Sequence, residues 1–371
     1  MSENISVAKP RDSWLDNAKG ILMIAVVVGH FIASVVNKYD TFAFLSNLIY
    51  FFHMPAFAIV SGFFLKRRVD TKDYASVINK TVVPYCFAQI IIYLFAIILP
   101  DGVKALSAER LYESGVFSFL FPLYHLWYFI GVVVAFVFLV AIKAKEHPLR
   151  AIVVSLALSL VSGAIPTVEF LKLTKILAFI PFFVLGYLIP KDFMKSVRKR
   201  KYNIASLVLF VAVVAVFWVL RDKGSLTGIF AMTWRFERYK FDIGFLEAVL
   251  VRLGFILSSA VFSLAFLNLC PKRKCIFTRL GEKSVYVYIL HVVVVAVIRH
   301  LNYDYKILLE LDSPVVKILY LIFSVLICFV LTLPPVVKVF KKVFEPTFDI
   351  RKIPEYLKIN KESENHLSFL R

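Results

Sequence analysis

Carboxylates are scarce in this 371-residue chain, where 25 Asp and Glu stand against 44 Lys and Arg for a formal net charge of +19. Cysteine is scarcer still: there are four, and Cys270 and Cys275 are spaced like neither CxxC nor a zinc knuckle. Structural disulfides and a bound metal are therefore not expected. No Gly-rich phosphate loop, HExxH or GxSxG occurs, which excludes P-loop ATPases, zincins and hydrolases of the nucleophile-elbow type. The opening residues, MSENISVAKPRDSW, put no small-residue cleavage site behind a short apolar core, so a removable signal peptide is not expected. No internal repeat of the kind that marks many secondary transporters is visible, a mild argument against transport.

Apolar residues, by contrast, make up 60% of the chain and are spread along it in many runs. That pattern excludes an ordinary soluble domain and predicts an all-α polytopic membrane protein. Ten membrane helices are expected, near 19–37, 43–65, 82–99, 124–142, 150–165, 174–190, 203–220, 244–269, 284–299 and 315–337. The basic residues form short clusters between these runs and leave no soluble basic domain to hold nucleic acid. With the N-terminus cytoplasmic, roughly 30 of the 44 Lys and Arg fall in inner loops and tails, as membrane orientation favours. Both termini are then cytoplasmic. Residues 1–18 are expected to form a short cytoplasmic segment, 19–337 the transmembrane domain, and 338–371 a cytoplasmic tail that is polar and loosely ordered from Glu345 onward.

The stretch from Asp16 to Arg68 organises the chain as two apolar runs of spanning length joined by VNKYDT, each with one imidazole in its middle, His30 and His53. An ionisable group at that depth costs roughly 2.5 kcal/mol or more, so it persists where a cavity, a partner or a function holds it. Lys19 and His30 lie almost three helical turns apart, on one face and roughly 16 Å along the axis, with Asp16 near the same stripe. Such a stripe suits a long ligand with an anionic head at the membrane surface and a reactive tip inside. The bland alternative makes Lys19 an interfacial anchor and lets His30 bond a neighbouring helix.

Two outer loops, 100–123 and 221–243, are long enough to shape a binding surface. The second alternates Phe230, Trp234, Phe236 and Tyr239 with Arg235, Glu237, Arg238 and Lys240, a mixture that suits sugar faces and hydroxyls and equally suits an interfacial aromatic belt. Glu247 and Arg252 lie close together in one apolar run, where they pair with each other or Arg252 faces a cavity.

Five motifs resemble the integral-membrane acyltransferase-3 family, especially its branch similar to fucose 4-O-acetylases. The first is Asp16, Lys19, Gly20, Ile21, Gly29 and His30, with ten residues between the basic side chain and the histidine. FFHMPAFAIVSGFFLKRR supplies His53, Pro55, Ser61 and Gly62. NKTVVPY, with Lys80 and Pro84, and HLWYFIG, from His125 through Trp127 to Gly131, open the third and fourth helices. LGEKSVYVYILH carries Gly281, Ser284, Tyr288 and His291. The match runs in order from about residue 11 to 337. One departure stands at Lys19, where many relatives carry Arg; an ammonium holds phosphate as a point charge and makes no bidentate fork.

The resemblance implies a bacterial plasma-membrane O-acetyltransferase that moves an acyl group from cytoplasmic acetyl-CoA to a hydroxyl of an extracytoplasmic or lipid-linked glycan, as in polysaccharide biosynthesis. Lys19, Lys66, Arg67, Arg68 and Lys80 are expected at the cytoplasmic mouth, drawing in the phosphates of CoA. His30 is expected to act as general base, with Asp16 and His53 as further catalytic candidates. Asp16 is too far along the helix to orient His30 directly and is expected to pair with Lys19 or a loop cation. His53 takes either a paired role or a structural bond. Ser61, Trp127, Trp234, Arg252, Tyr288 and His291 are the candidates for substrate contact. Direct transfer ranks ahead of a covalent acyl intermediate on Ser61 or His30. A transporter or flippase of a lipid-linked sugar is the rival from another class, and a longer acyl donor the rival within the same one.

Overall fold

The computed structural model describes residues 12–344 apart from 100–119, 169, 240–242, 302–305, 307 and 309. Most of the 100–123 loop, Lys240 of the 221–243 loop and the tail from Glu345 lie outside the described residues. Within them the architecture is all-helical. The main helices are α1 (Ser13–Ile32), α2 (Asp40–Asp70), α3 (Val83–Ile98), α4 (Trp127–Ala141), α5 (Pro148–Ala164) and α6 (Leu173–Leu188). They continue with α7 (Asn203–Val219), α8 (Phe245–Leu269), α9 (Ile276–Glu282), α10 (Ser284–His300), α11 (Pro314–Val330) and α12 (Pro334–Phe344).

Every one of the ten predicted segments overlaps a helix, but the spans are fewer by length. Among the described residues, six helical stretches are long and apolar enough to cross a membrane, or up to eight if each of two bent pairs counts as one span. The bends are 82° between α9 and α10 and 56° between α11 and the helix after it. The two segments that fall short are α4 and α5, with 15 and 17 residues. At 1.5 Å per residue they reach roughly 22–26 Å, less than a hydrocarbon core of about 30 Å.

Local signals start the helices. Asp12 accepts from the Trp14 amide at 3.1 Å and caps α1, Ser313 caps α11, and Pro148 and Pro314 occupy first-turn positions where a missing N–H costs nothing. Ahead of Pro84 the backbone forms one π-helical stretch, Ile78–Val82, which carries Lys80. A proline that cannot donate to the preceding turn accounts for this local shift of register.

Two close crossings fix the bundle. At Gly20 and Gly281, α1 meets α9 so tightly that a methyl group on either would strike the other helix's backbone, at Phe277 and Asp16 respectively. Gly62 of α2 and Gly186 of α6 meet in the same manner, against Phe183 and Ile59. Glycines at a helix interface let backbones approach, and packing rather than hydrophobicity drives association inside lipid. Asn17, fully buried, then ties α1 to the turn before α9: its amide donates to the carbonyls of Pro271 and Arg273, both at 2.8 Å, and its oxygen accepts from Thr278 at 2.6 Å.

Candidate active site

These crossings bring the ends of several helices around one cavity of about 1000 Å³. Its mouth is lined by Asp12, Asp16 and Lys19 at the start of α1, Arg68 near the end of α2, Lys80, and Lys191, Lys195 and Arg198 beyond α6. Away from the mouth, Ser61, Phe57 and Met54 follow one another along α2, and Val26, Tyr128 and Tyr288 line the cavity with them. Ser61 and Tyr128 share a hydroxyl-to-hydroxyl bond of 2.8 Å.

Beyond Tyr288 lies a layer of imidazoles. His30, His125 and His291 come from α1, the turn before α4, and α10. The ring centres of His30 and His291 are 5.0 Å apart and nearly parallel, at 15°. His125 sits 4.9 Å from His291 and 5.9 Å from His30, and the Tyr124 ring lies 4.6 Å from His30. His125 and His291 are buried, while His30 is half-buried.

The hydrogen bonds assign the protons. His291 Nδ1 lies 2.8 Å from the Val287 carbonyl, which only accepts, so that nitrogen carries hydrogen. In a neutral ring His291 Nε2 is then the acceptor, and its partner 2.8 Å away, His30 Nδ1, must donate. The lone pair of a neutral His30 is left on Nε2, as a base requires. The Tyr288 hydroxyl donates to the His125 carbonyl and its ring packs 4.5 Å from His125, so Tyr288 links cavity and imidazoles. His30 itself is not among the cavity-lining residues. Val26, four residues earlier, is, which leaves roughly 6 Å of helix between them.

The other sequence candidates fall into place differently. Asp16, buried, binds Lys19 at 2.7 Å and has no direct part in the histidine layer. His53 donates from Nδ1 to the Ile49 carbonyl at 2.7 Å, a bond within its own helix, and meets the Tyr50 ring edge-on at 4.9 Å. Arg67 is exposed and does not line the cavity, unlike Arg68 and Lys80. Lys66 donates to the Ile189 carbonyl. Trp127 is buried against Phe179, with the Lys175 ammonium 4.5 Å above its ring.

Arg252 is also away from the cavity. Its guanidinium donates to the Ser159 carbonyl (2.8 Å), the Ser162 hydroxyl (3.1 Å) and the Trp234 carbonyl (3.3 Å), over the face of Phe236. It therefore clamps the 221–243 loop onto α5 and does not pair with Glu247, which is exposed. Trp234 packs against Gly228 beneath the same clamp.

The sequence profile of the family described as "Acyltransferase domain", acyltransferase 3, matches residues 12–333. The chain belongs to this acyltransferase family. Among curated proteins this acyltransferase-family chain is similar to the nodulation protein NolL of Sinorhizobium fredii (strain NBRC 101917 / NGR234), 26% identical over 187 residues, 49% of either chain. It thus spans about half the length of the curated relative it matches. No solved structure matches.

Within the acyltransferase-3 chain, the motif residues divide by role. Gly20, Gly62 and Gly281 are contact points between helices, whereas His30 and His291 meet across the bundle. Sequence reasoning missed His125 as a member of the histidine layer. Its one signal was an imidazole two residues before Trp127 in an apolar setting. It also missed Arg299, which donates to the His30 carbonyl at 3.0 Å and so holds the end of α1. Tyr124 adopts φ +49°, a left-handed backbone unfavourable for a bulky residue, which is a strain of the kind found at functional sites.

Proposed function

We propose that this protein is a multi-pass membrane O-acetyltransferase that takes the acyl group from acetyl-CoA and delivers it to a hydroxyl of an extracytoplasmic or lipid-linked glycan. The single observation that carries the reading is the arrangement of a cation-lined mouth, a cavity with a hydroxyl pair in its wall, and, past Tyr288, a histidine whose free lone pair is assigned. CoA matches that order, being polyanionic at one end and a thioester at the other. Lys19, Arg68 and Lys80 would hold phosphate. The thioester end would rest near Ser61 and Tyr128, whose hydroxyls can donate to its carbonyl oxygen as charge develops there.

His30 Nε2 then takes the proton of the acceptor hydroxyl as that oxygen attacks the thioester carbonyl. The carbon–sulfur bond breaks, and the CoA thiolate leaves and takes the proton from His30. The bond to His291 holds the ring in the required tautomer throughout. Direct transfer needs Tyr288 to move aside, since it stands between the cavity and the imidazoles. Ten spans, both termini in the cytoplasm and a bacterial plasma membrane complete the proposal, because that orientation presents the basic mouth to cytoplasmic CoA.

Purified protein in lipid nanodiscs, given radiolabelled acetyl-CoA and a lipid-linked oligosaccharide or surface-glycan fraction, tests this. Label in the glycan with stoichiometric thiol release is the expected result. Movement of the lipid-linked sugar across the bilayer with no CoA consumed would establish the flippase instead.

A further inference from the structure

The cations of the mouth come from two separate walls. Lys19 and Arg68 belong to the start of α1 and the end of α2 and Lys80 to the π-helical stretch ahead of α3, where it feels Arg68 and Arg67 as like charges. Lys191, Lys195 and Arg198 come instead from the segment after α6, where Lys191 stands beside the like charge of Lys66. Their spacing of four and then three residues puts all three on one face of a helical turn. Val197 of the same segment packs into the core and fixes that face.

The counter-charges on this second wall are weak. Lys195 meets Asp192 at 2.8 Å with both side chains largely in solvent, 71% and 89% exposed, a setting in which an ion pair contributes little. Arg198 meets Asp12 at 3.2 Å, again half-exposed. Like charges gathered at the rim of a cavity raise the local concentration of anions. The first wall already suffices for one anionic group, so a second wall calls for a second anion on the same ligand. Lysines suit a phosphate monoester, whose charge is spread over three oxygens and needs no planar fork.

We infer that Lys191 and Lys195, with Arg198 beside them, form a subsite for a terminal phosphate monoester, the 3′-phosphate of a CoA donor, distinct from the group that holds the pyrophosphate. The inference rests on the acyl-CoA reading and adds a specificity element to it. The subsite makes the enzyme discriminate between CoA and its 3′-dephospho form at the binding step.

The test measures binding of CoA and 3′-dephospho-CoA to the full chain in nanodiscs by titration calorimetry, so no turnover is needed. Wild type is expected to bind CoA about tenfold more tightly than 3′-dephospho-CoA. The Lys191→Gln/Lys195→Gln double variant, altered only at exposed positions, is expected to bring that ratio to within about twofold by weakening CoA alone. Lys80→Gln should weaken both ligands and preserve the ratio. A wild-type ratio near one, or a double variant that keeps the wild-type ratio, overturns the subsite and leaves the donor assignment standing. Failure of wild type to bind either ligand overturns both.

Discussion

His30 and His291, 261 positions apart in sequence, share a 2.8 Å bond between Nδ1 and Nε2 whose direction is set by the carbonyl of Val287. The consequence is a half-buried imidazole with its lone pair on Nε2, backed by a second ring that is buried completely. Replacing His30 by Ala is expected to lower kcat at least about 100-fold, the usual worth of a positioned base, while elution on size exclusion stays that of wild type. Folded protein with undiminished turnover would remove the base assignment.

His291 acts through His30 and is a positioning residue. His291→Ala is expected to reduce kcat about 10-fold to 100-fold with donor KM within about twofold, because only the orientation of the reacting group is lost. His291→Gln offers a carbonyl oxygen in place of Nε2 and should recover part of the loss. Equal activity for the Ala and Gln variants would mean that the hydrogen bond has no part in turnover.

Lys19 and Asp16 form a 2.7 Å pair in which the carboxylate side is 5% exposed. Lys19→Gln takes the ammonium away from that carboxylate and is expected to destabilise the fold, by less than the about 3–5 kcal/mol of a fully buried pair because the Lys19 side chain is 20% exposed, read as a lower unfolding midpoint in detergent. The double variant Asp16→Asn/Lys19→Gln should regain most of it. Donor KM should rise in both variants if Lys19 also touches phosphate, and an unchanged KM would restrict Lys19 to the ion pair.

Gly281 has the Asp16 backbone directly against it. Gly281→Ala is expected to cost about 1–3 kcal/mol or more, since backbone cannot give way as a flexible side chain can. The measurement is the fraction of monodisperse protein after extraction, and a wild-type yield would show that α1 and α9 are free to separate.

Arg252 should behave as a structural clamp. Arg252→Leu removes the guanidinium's bonds to the Trp234 carbonyl and to the Ser159 carbonyl, the latter keeping its 2.7 Å bond from the Ser162 hydroxyl, at about 0.5–1.5 kcal/mol for each bond lost. Thermal stability is expected to fall, while acceptor KM of the remaining folded protein stays within about twofold. A large rise in acceptor KM without loss of stability would restore Arg252 to the binding surface.

Much of the architecture was legible because it is local. An apolar run of spanning length is helical in lipid whatever surrounds it, so each of the ten expected segments has its helix. The Asp16–Lys19 pair was legible too, since three residues is one turn. The 82° break at Lys283 was not, because α9 lies across α1 through a glycine contact that only the partner helix creates. Arg252 invited a cavity reading because intramembrane arginine is costly. The carbonyls it binds come from α5 and the 221–243 loop, and no periodicity reports them.

By itself, then, the order of residues determined which segments are apolar helices, where the basic clusters fall between them, and that imidazoles and hydroxyls sit within apolar runs. Those follow from hydropathy, charge and helical pitch, properties of neighbours along the chain. The tertiary structure alone decided that His291 and His125, not His53, share a layer with His30, and that a cavity rimmed by Lys191 and Lys195 as well as Lys80 leads toward them. Such pairings depend on how glycine crossings set the separation and rotation of whole helices, which local spacing leaves open.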